Sequence, residues 1–402
     1  MRIQFQRINR NQSNLTFRPR RRRVFAGCLP LTLVLSIALA LAATSWNWLG
    51  ARLNITATPD ANSELELAQY AFNSGDLDTA ISLSRQIWTN QPNSIDGLFL
   101  LIRGLIYRSY SDYNRDVDRE IALQITTEAY NRMPSDPDIS AIHAFALQAT
   151  SDPILSARLA QGVLGRVPDH QLAQIALTLA FGRVGGYDAA LRQAQQISLE
   201  GDLALEVYRA LAISHSDLGH YDEAINAIDQ ALGINNRLAF LHFERAEFAL
   251  HTSDFDTATA AFFHVLAFDA ENTKVRLRMC DLSIRLGNRA DAMSYCQDVT
   301  ERAPTWSDGW YLLGREYFLR GEFSLAQESF NHCSTLQVQQ NTPISQRQFE
   351  CWYLQGQAAE LQGDCNGLLQ IYNEFLAMNA IYPLAETWIL PPDGPAICTT
   401  TP

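Results

Sequence analysis

Six of the seven cysteines fall after residue 279: Cys280, Cys296, Cys333, Cys351, Cys365 and Cys398. An even set of this kind can pair into disulfides in an oxidising compartment, and six thiols allow fifteen connectivities. The competing account is that they are small, buried apolar side chains. No Cys-x-x-Cys occurs, which removes the usual ligand spacing of a structural zinc site, and neither a metal nor a cofactor is expected. Eight histidines are scattered along the chain. The closest two, His215 and His220, are split between helix and turn, and a core or turn role is the reading for each. Gly-x-Ser-x-Gly, a phosphate-binding glycine loop, His-Glu-x-x-His and the dinucleotide fingerprint are all missing from the sequence. The chemistry on offer is disulfide formation and binding, and no enzyme is expected.

The elements that would position these residues are legible between Trp310 and Phe330. Trp310, Leu313, Gly314 and Tyr317 are three or four apart or adjacent, so they share one helical face. Gly321 marks a turn, and Phe323, Ala326 and Phe330 follow on a second helix. Gly314 and Ala326 are small where two antiparallel helices must approach closely, and the large residues fill the space beside them. The unit recurs. Ala326, Ala292, Ala258, Ala224 and Ala190 succeed one another at 34 residues, and Ser156 continues the series. Gly321, Gly287, Ser253, Gly219 and Gly185 keep the same period at the turn, and Pro304 and Pro168 lie 136 residues apart, four periods. The pattern resembles the tetratricopeptide repeat, a helix–turn–helix unit of 34 residues. The resemblance implies an all-α fold, a right-handed α-solenoid of about nine repeats over 61–382, long enough for a full superhelical turn.

The N-terminal region has a different character. The chain carries 31 basic and 43 acidic side chains, for a net charge of −12. Eight of the basic residues and none of the acidic ones lie in residues 1–50, which leaves −20 for residues 51–402. So acidic a body repels phosphate backbones, and no nucleic acid partner is expected. Residues 1–23 form a basic segment that ends in the run Arg20 to Arg23. Residues 24–44 are apolar and free of charge, about the length of a membrane-spanning helix. The arginines should stay in the cytoplasm and everything after the span should lie outside. A retained transmembrane helix contacting the lipid bilayer is favoured. Ala40-Leu41-Ala42 keeps open a cleaved signal peptide and a secreted product. Residues 45–60 read as a linker and 383–402 as an irregular tail.

Within 61–382, Glu64 replaces the aromatic of the first repeat, as suits an end open to water. Extra residues are expected at 108–119 and 341–348. Asp136 and Asp169 lie just past closing prolines as candidate N-caps, and Pro137 suits a first helical position. In the ninth unit Cys365 and Leu368 depart from the pattern. The repeat register suggests cysteine pairs. Cys333 ends a second helix and Cys351 begins the next first helix. Cys280 and Cys296 face one another within a repeat, about one turn out of step and so at the edge of disulfide reach. Cys365 and Cys398 would staple the tail.

In tetratricopeptide arrays the first helices line a concave groove that holds peptide segments of other proteins. Matching positions here are Arg103, Arg209, Phe243, Glu247, Lys274, Arg278, Asp281, Tyr311 and Arg315, with Arg285 joining the basic cluster. Lys274-x3-Arg278 is similar to half of the carboxylate clamp of chaperone-binding members. Ile213 and Glu244 stand where that clamp has asparagines. These residues imply an acidic, partly apolar partner on repeats five to eight. Two functions are consistent with this: a membrane-anchored, extracytoplasmic interaction scaffold, favoured, or an accessory or regulatory subunit of an enzyme encoded elsewhere.

Overall fold

The computed structural model describes residues 61–150, 152–383, 388–390 and 398. The expected span at 24–44 lies outside the described residues, among which no helix is long and apolar enough to cross a membrane. The described residues hold eighteen α-helices and no strand. The first three pairs are α1 (Ala61–Asn73) with α2 (Leu77–Asn90), α3 (Ile95–Ser111) with α4 (Val117–Arg132), and α5 (Pro137–Gln148) with α6 (Pro153–Leu164). Then come α7 (Gln171–Arg183) with α8 (Tyr187–Ala194), α9 (Ala204–Asp217) with α10 (Tyr221–Ile234), and α11 (Ala239–His251) with α12 (Phe255–Phe268). The last three are α13 (Thr273–Arg285) with α14 (Arg289–Arg302), α15 (Ser307–Leu319) with α16 (Phe323–Gln339), and α17 (Glu350–Gln362) with α18 (Cys365–Ile381). Nine helix pairs in chain order make an all-α solenoid.

Local chemistry starts and stops these helices. Asp76, Ser94, Asp152, Asp254 and Asp364 each accept a hydrogen bond from a first-turn amide, which satisfies donors the helix leaves free. Asp136 caps α5 ahead of Pro137, accepting from Asp138 N and Ile139 N. The expected cap at Asp169 is displaced by one residue: His170 occupies the N-cap of α7, and its Nδ1 faces Ala173 N at 3.4 Å. The periodic turn position takes a left-handed backbone, with φ of +81° at Gly185, +78° at Gly219, +72° at Gly287 and +77° at Gly321. Ser253 holds that conformation too, at φ 60°, a strain glycine avoids.

The periodic small residues Ser156, Ala190, Ala224, Ala258, Ala292 and Ala326 are all buried, each where a second helix presses on its partner. Gly314 does the same for a first helix: a Cβ added there would lie 2.7 Å from the ring of Phe330. Extra length appears in two places. Helix α3 continues through Ser111 before a loop at 112–116, and α16 runs to Gln339 before a loop with a short 3-10 turn, Ile344–Gln346. Helix α8 is short, and a loop over 195–203 follows it.

Three disulfides tie the last three repeats. Cys280–Cys296 joins α13 to α14 with Cα atoms 5.1 Å apart, Cys333–Cys351 joins α16 to α17 at 5.9 Å, and Cys365–Cys398 joins α18 to the tail at 5.4 Å. Cys280 and Cys296 are less out of step than the sequence suggested. They lie seven residues before and nine after Gly287, an offset of only about 3 Å along a helix. The tail is more ordered than expected at one point. Trp388 sits over Gly356, where a Cβ would meet its ring at 2.1 Å, and it makes edge contacts with Tyr353, Tyr372 and Phe375.

Candidate functional site

First helices of successive repeats touch one another, as α5 does α7 and α7 does α9, so they form the inner side of the coil. The coil then meets itself. Helix α3 of the second repeat packs on α11 of the sixth, where the Tyr107 and Phe240 rings lie 4.3 Å apart and Phe72 joins at 6.1 Å from Tyr107. The turn of the first repeat lies against the loop before α11, so closely that a Cβ on Gly75 would be 2.6 Å from the Arg237 carbonyl. Farther along, Asn272 Nδ2 donates to Ser111 O at 3.1 Å and Lys274 Nζ to Tyr110 O at 2.5 Å. Tyr113, in the loop after α3, stacks on Trp306 at 4.6 Å and meets Thr305 Oγ1 at 2.9 Å.

This closure consumes several residues at the expected groove positions. Arg103 is buried, and its Nε donates to Glu206 Oε1 at 2.5 Å while its guanidinium lies 4.3 Å from the Phe72 ring. Tyr107 donates to the same oxygen at 2.6 Å; burial first, then the Glu206 carboxylate, pushes that hydroxyl's pKa well up, so it keeps its proton. Arg209 is buried against Glu244, with Nη2 to Oε1 at 2.6 Å and Nε to both carboxylate oxygens. Neither arginine presents free charge to a partner, because a neighbouring first helix supplies its carboxylate. Lys274 Nζ lies 5.3 Å from the Phe243 ring, and burial, with Arg278 beside it, brings its pKa down to about 8.

The rest of the basic cluster is partly neutralised. Asp281 pairs with Arg285 at 2.7 Å and with Arg315 at 3.2 Å, and Arg315 also lies over the Tyr311 ring. Arg278 and Glu247 are exposed. The cluster that pointed to an acidic partner is therefore reduced, in effect, to Arg278.

Beside the closure lies an open cavity of about 960 Å³, lined by α1, the N-terminal halves of α3, α5 and α7, the loop leading into α9, and Ile234 and Asn235 at the end of α10. Its walls include Phe72, Phe99, Leu100, Ile142, Leu172 and Leu205, and its edge carries Glu66, Asp96, Asp138 and Asp202. Sequence reasoning did not find it. The available signal was the pairing of types on first helices, since Arg103 and Arg209 each have a glutamate, Glu206 and Glu244, on another first helix. No group of three or more potential metal ligands exists among the described residues.

Such a coil of antiparallel helix pairs is an all-α solenoid like those built from tetratricopeptide repeats. Residues 205–237 and 249–316 match models of the tetratricopeptide repeat, and such repeats are present in this chain. No curated protein sequence matches it. Among solved structures, that of the APC/C hetero-tetramer Cut9–Hcn1 is similar over 76% of this chain, at 14% identity and a TM-score of 0.55. The STAND protein PH0952 from Pyrococcus horikoshii, which carries a tetratricopeptide repeat sensor, is similar over 67%, at 13% identity and a TM-score of 0.50. The present chain spans 57% and 49% of those two chains. At such identities the likeness concerns the fold.

Proposed function

We propose that this chain is a non-enzymatic interaction scaffold that holds a segment of a partner protein in the cavity of its first five repeats. Residues 24–44 fix it in a membrane and the repeats lie outside the cytoplasm. The observation that carries the binding reading is the cavity itself. It is at the upper end of the size range of ligand sites, and its lining combines apolar side chains with polar groups. Proteins built on these repeats generally act as interaction scaffolds, which supports the same class. The anchor rests on the uncharged run behind eight arginines. Three disulfides are in keeping with an oxidising compartment.

The test is proximity labelling on the native membrane with the parent chain and with Ala204→Trp, which places an indole in the cavity. The variant should retain its far-UV circular dichroism and lose a defined subset of labelled neighbours. A control, Gln161→Trp on the exposed side of α6, should lose none. Identical labelling by parent and Ala204→Trp would dismiss the cavity as the partner site.

A further inference from the structure

We infer that the cavity accepts a cationic segment of another protein, one or two arginine or lysine side chains flanking an apolar residue. The inference rests on the cavity being the partner site and adds the partner's chemistry. Of its four edge carboxylates, Asp138 meets only His170 Nε2, at 3.1 Å. Glu66, Asp96 and Asp202 enter no ion pair or side-chain hydrogen bond among the described residues. The one arginine in the wall, Arg103, is buried and already neutralised by Glu206. No lysine or second arginine lines the space, so its net charge is acidic.

Two of these acids have an ordinary local role. Asp96 and Asp138 lie in the first turns of α3 and α5, where a carboxylate offsets the helix dipole. Glu66 stands in the middle of α1 and Asp202 in the loop before α9. Neither serves a cap, and these two carry the argument. Carboxylates at the edge of a low-dielectric hollow focus the field into it and raise the local concentration of cations. An arginine or lysine entering would find its countercharge at the edge while a neighbouring apolar side chain meets Phe99 and Leu100. An acidic segment would be repelled. The charge of the partner is thus opposite to the one suggested by Lys274, Arg278, Arg285 and Arg315.

The test uses the full chain in lipid nanodiscs and three fluorescein-labelled decapeptides of alternating leucine with arginine, asparagine or glutamate. Fluorescence anisotropy should show the arginine peptide binding at least about tenfold more tightly than the asparagine one, and the glutamate peptide not at all. Glu66→Gln with Asp202→Asn should weaken the arginine peptide about tenfold. Ile234→Arg should do the same from an exposed position at the edge, where a new cation competes with the ligand. Three peptides binding alike, all blocked by Ala204→Trp, would keep the cavity as a peptide site and overturn its charge selectivity. Binding unaffected by both Ala204→Trp and Ile234→Arg would be surface attraction and would overturn both readings.

Discussion

Replacing Glu206 by alanine addresses the closure of the coil at its most buried point. Glu206 is 2% exposed and accepts from both Arg103 and Tyr107, which belong to a repeat a hundred residues earlier. Removing the carboxylate leaves the guanidinium of Arg103, a residue 7% exposed, without its countercharge. Breaking a buried ion pair by deleting one partner costs about 3–5 kcal/mol, most of it from the charge left behind. The contact between the Tyr107 and Phe240 rings remains, and so does Lys274 on Tyr110 O. The loss should therefore appear as easier opening between repeats two and five or six. In a solenoid each repeat depends mainly on its neighbours, so repeats seven to nine should stay folded. Amide hydrogen exchange read by mass spectrometry should quicken by roughly 10²–10⁴-fold in peptides from 95–111 and 239–251. Peptides from 307–381 should not change. Combining Arg103→Met and Tyr107→Phe with Glu206→Leu should recover most of the protection, because apolar side chains of similar volume then replace the buried ion pair and no buried hydroxyl loses its acceptor. Unchanged exchange at 95–111 in Glu206→Ala would refute the role given to this contact, and so would a triple variant no better protected than the single one.

Other consequences can be measured separately. Gly314→Leu forces side-chain atoms into the Phe330 ring and should lower stability by about 1–3 kcal/mol in chemical denaturation; a parent-like midpoint would count against the helix contact. Burial holds His143 at a pKa of about 4, so between roughly pH 6.5 and 4 the unfolded chain binds a proton that the folded one does not. Its contribution is complete above that window and declines as pH falls through it, so the melting temperature of the parent should drop more steeply there than that of His143→Phe. Reducing the disulfides, which close loops of 16, 18 and 33 residues, should destabilise repeats seven to nine by about 3 kcal/mol for each short loop on the chain-entropy account, seen as proteolysis beginning there. A reporter active only outside the cytoplasm, fused after Pro402, should be active, and deletion of Arg20 to Arg23 should weaken or invert that orientation.

The repeats were legible because their determinants are local and repeated. Ala224 must be small for the same reason as Ala258, and the turn at Gly219 needs the same backbone as the one at Gly287. The caps were less so: His170 in place of Asp169 depends on a one-residue choice of where α7 starts. The closure was not legible, because it arises from small rotations that accumulate over several repeats, and no single repeat encodes their sum. Arg103 and Arg209 occupy groove positions, and from sequence such positions read as open to a partner. In this coil they face other first helices, and Glu206 and Glu244 meet them there. The extra residues in the second repeat were visible as a broken apolar pattern around Tyr110 and Tyr113. Their task of reaching Lys274 and Trp306 was not visible, since those partners lie well over a hundred residues away.

A solenoid joined only through neighbouring repeats deforms like a soft spring, each unit yielding a little. Here the coil is latched to itself at separate points: Gly75 against Arg237, Tyr107 on Phe240, Tyr110 with Lys274, and Tyr113 on Trp306. Gradual stretching is blocked while the latches hold, because a small extension strains all of them together. Opening of the coil is then a threshold event, governed by release of the whole set of contacts and not by the yielding of any one repeat.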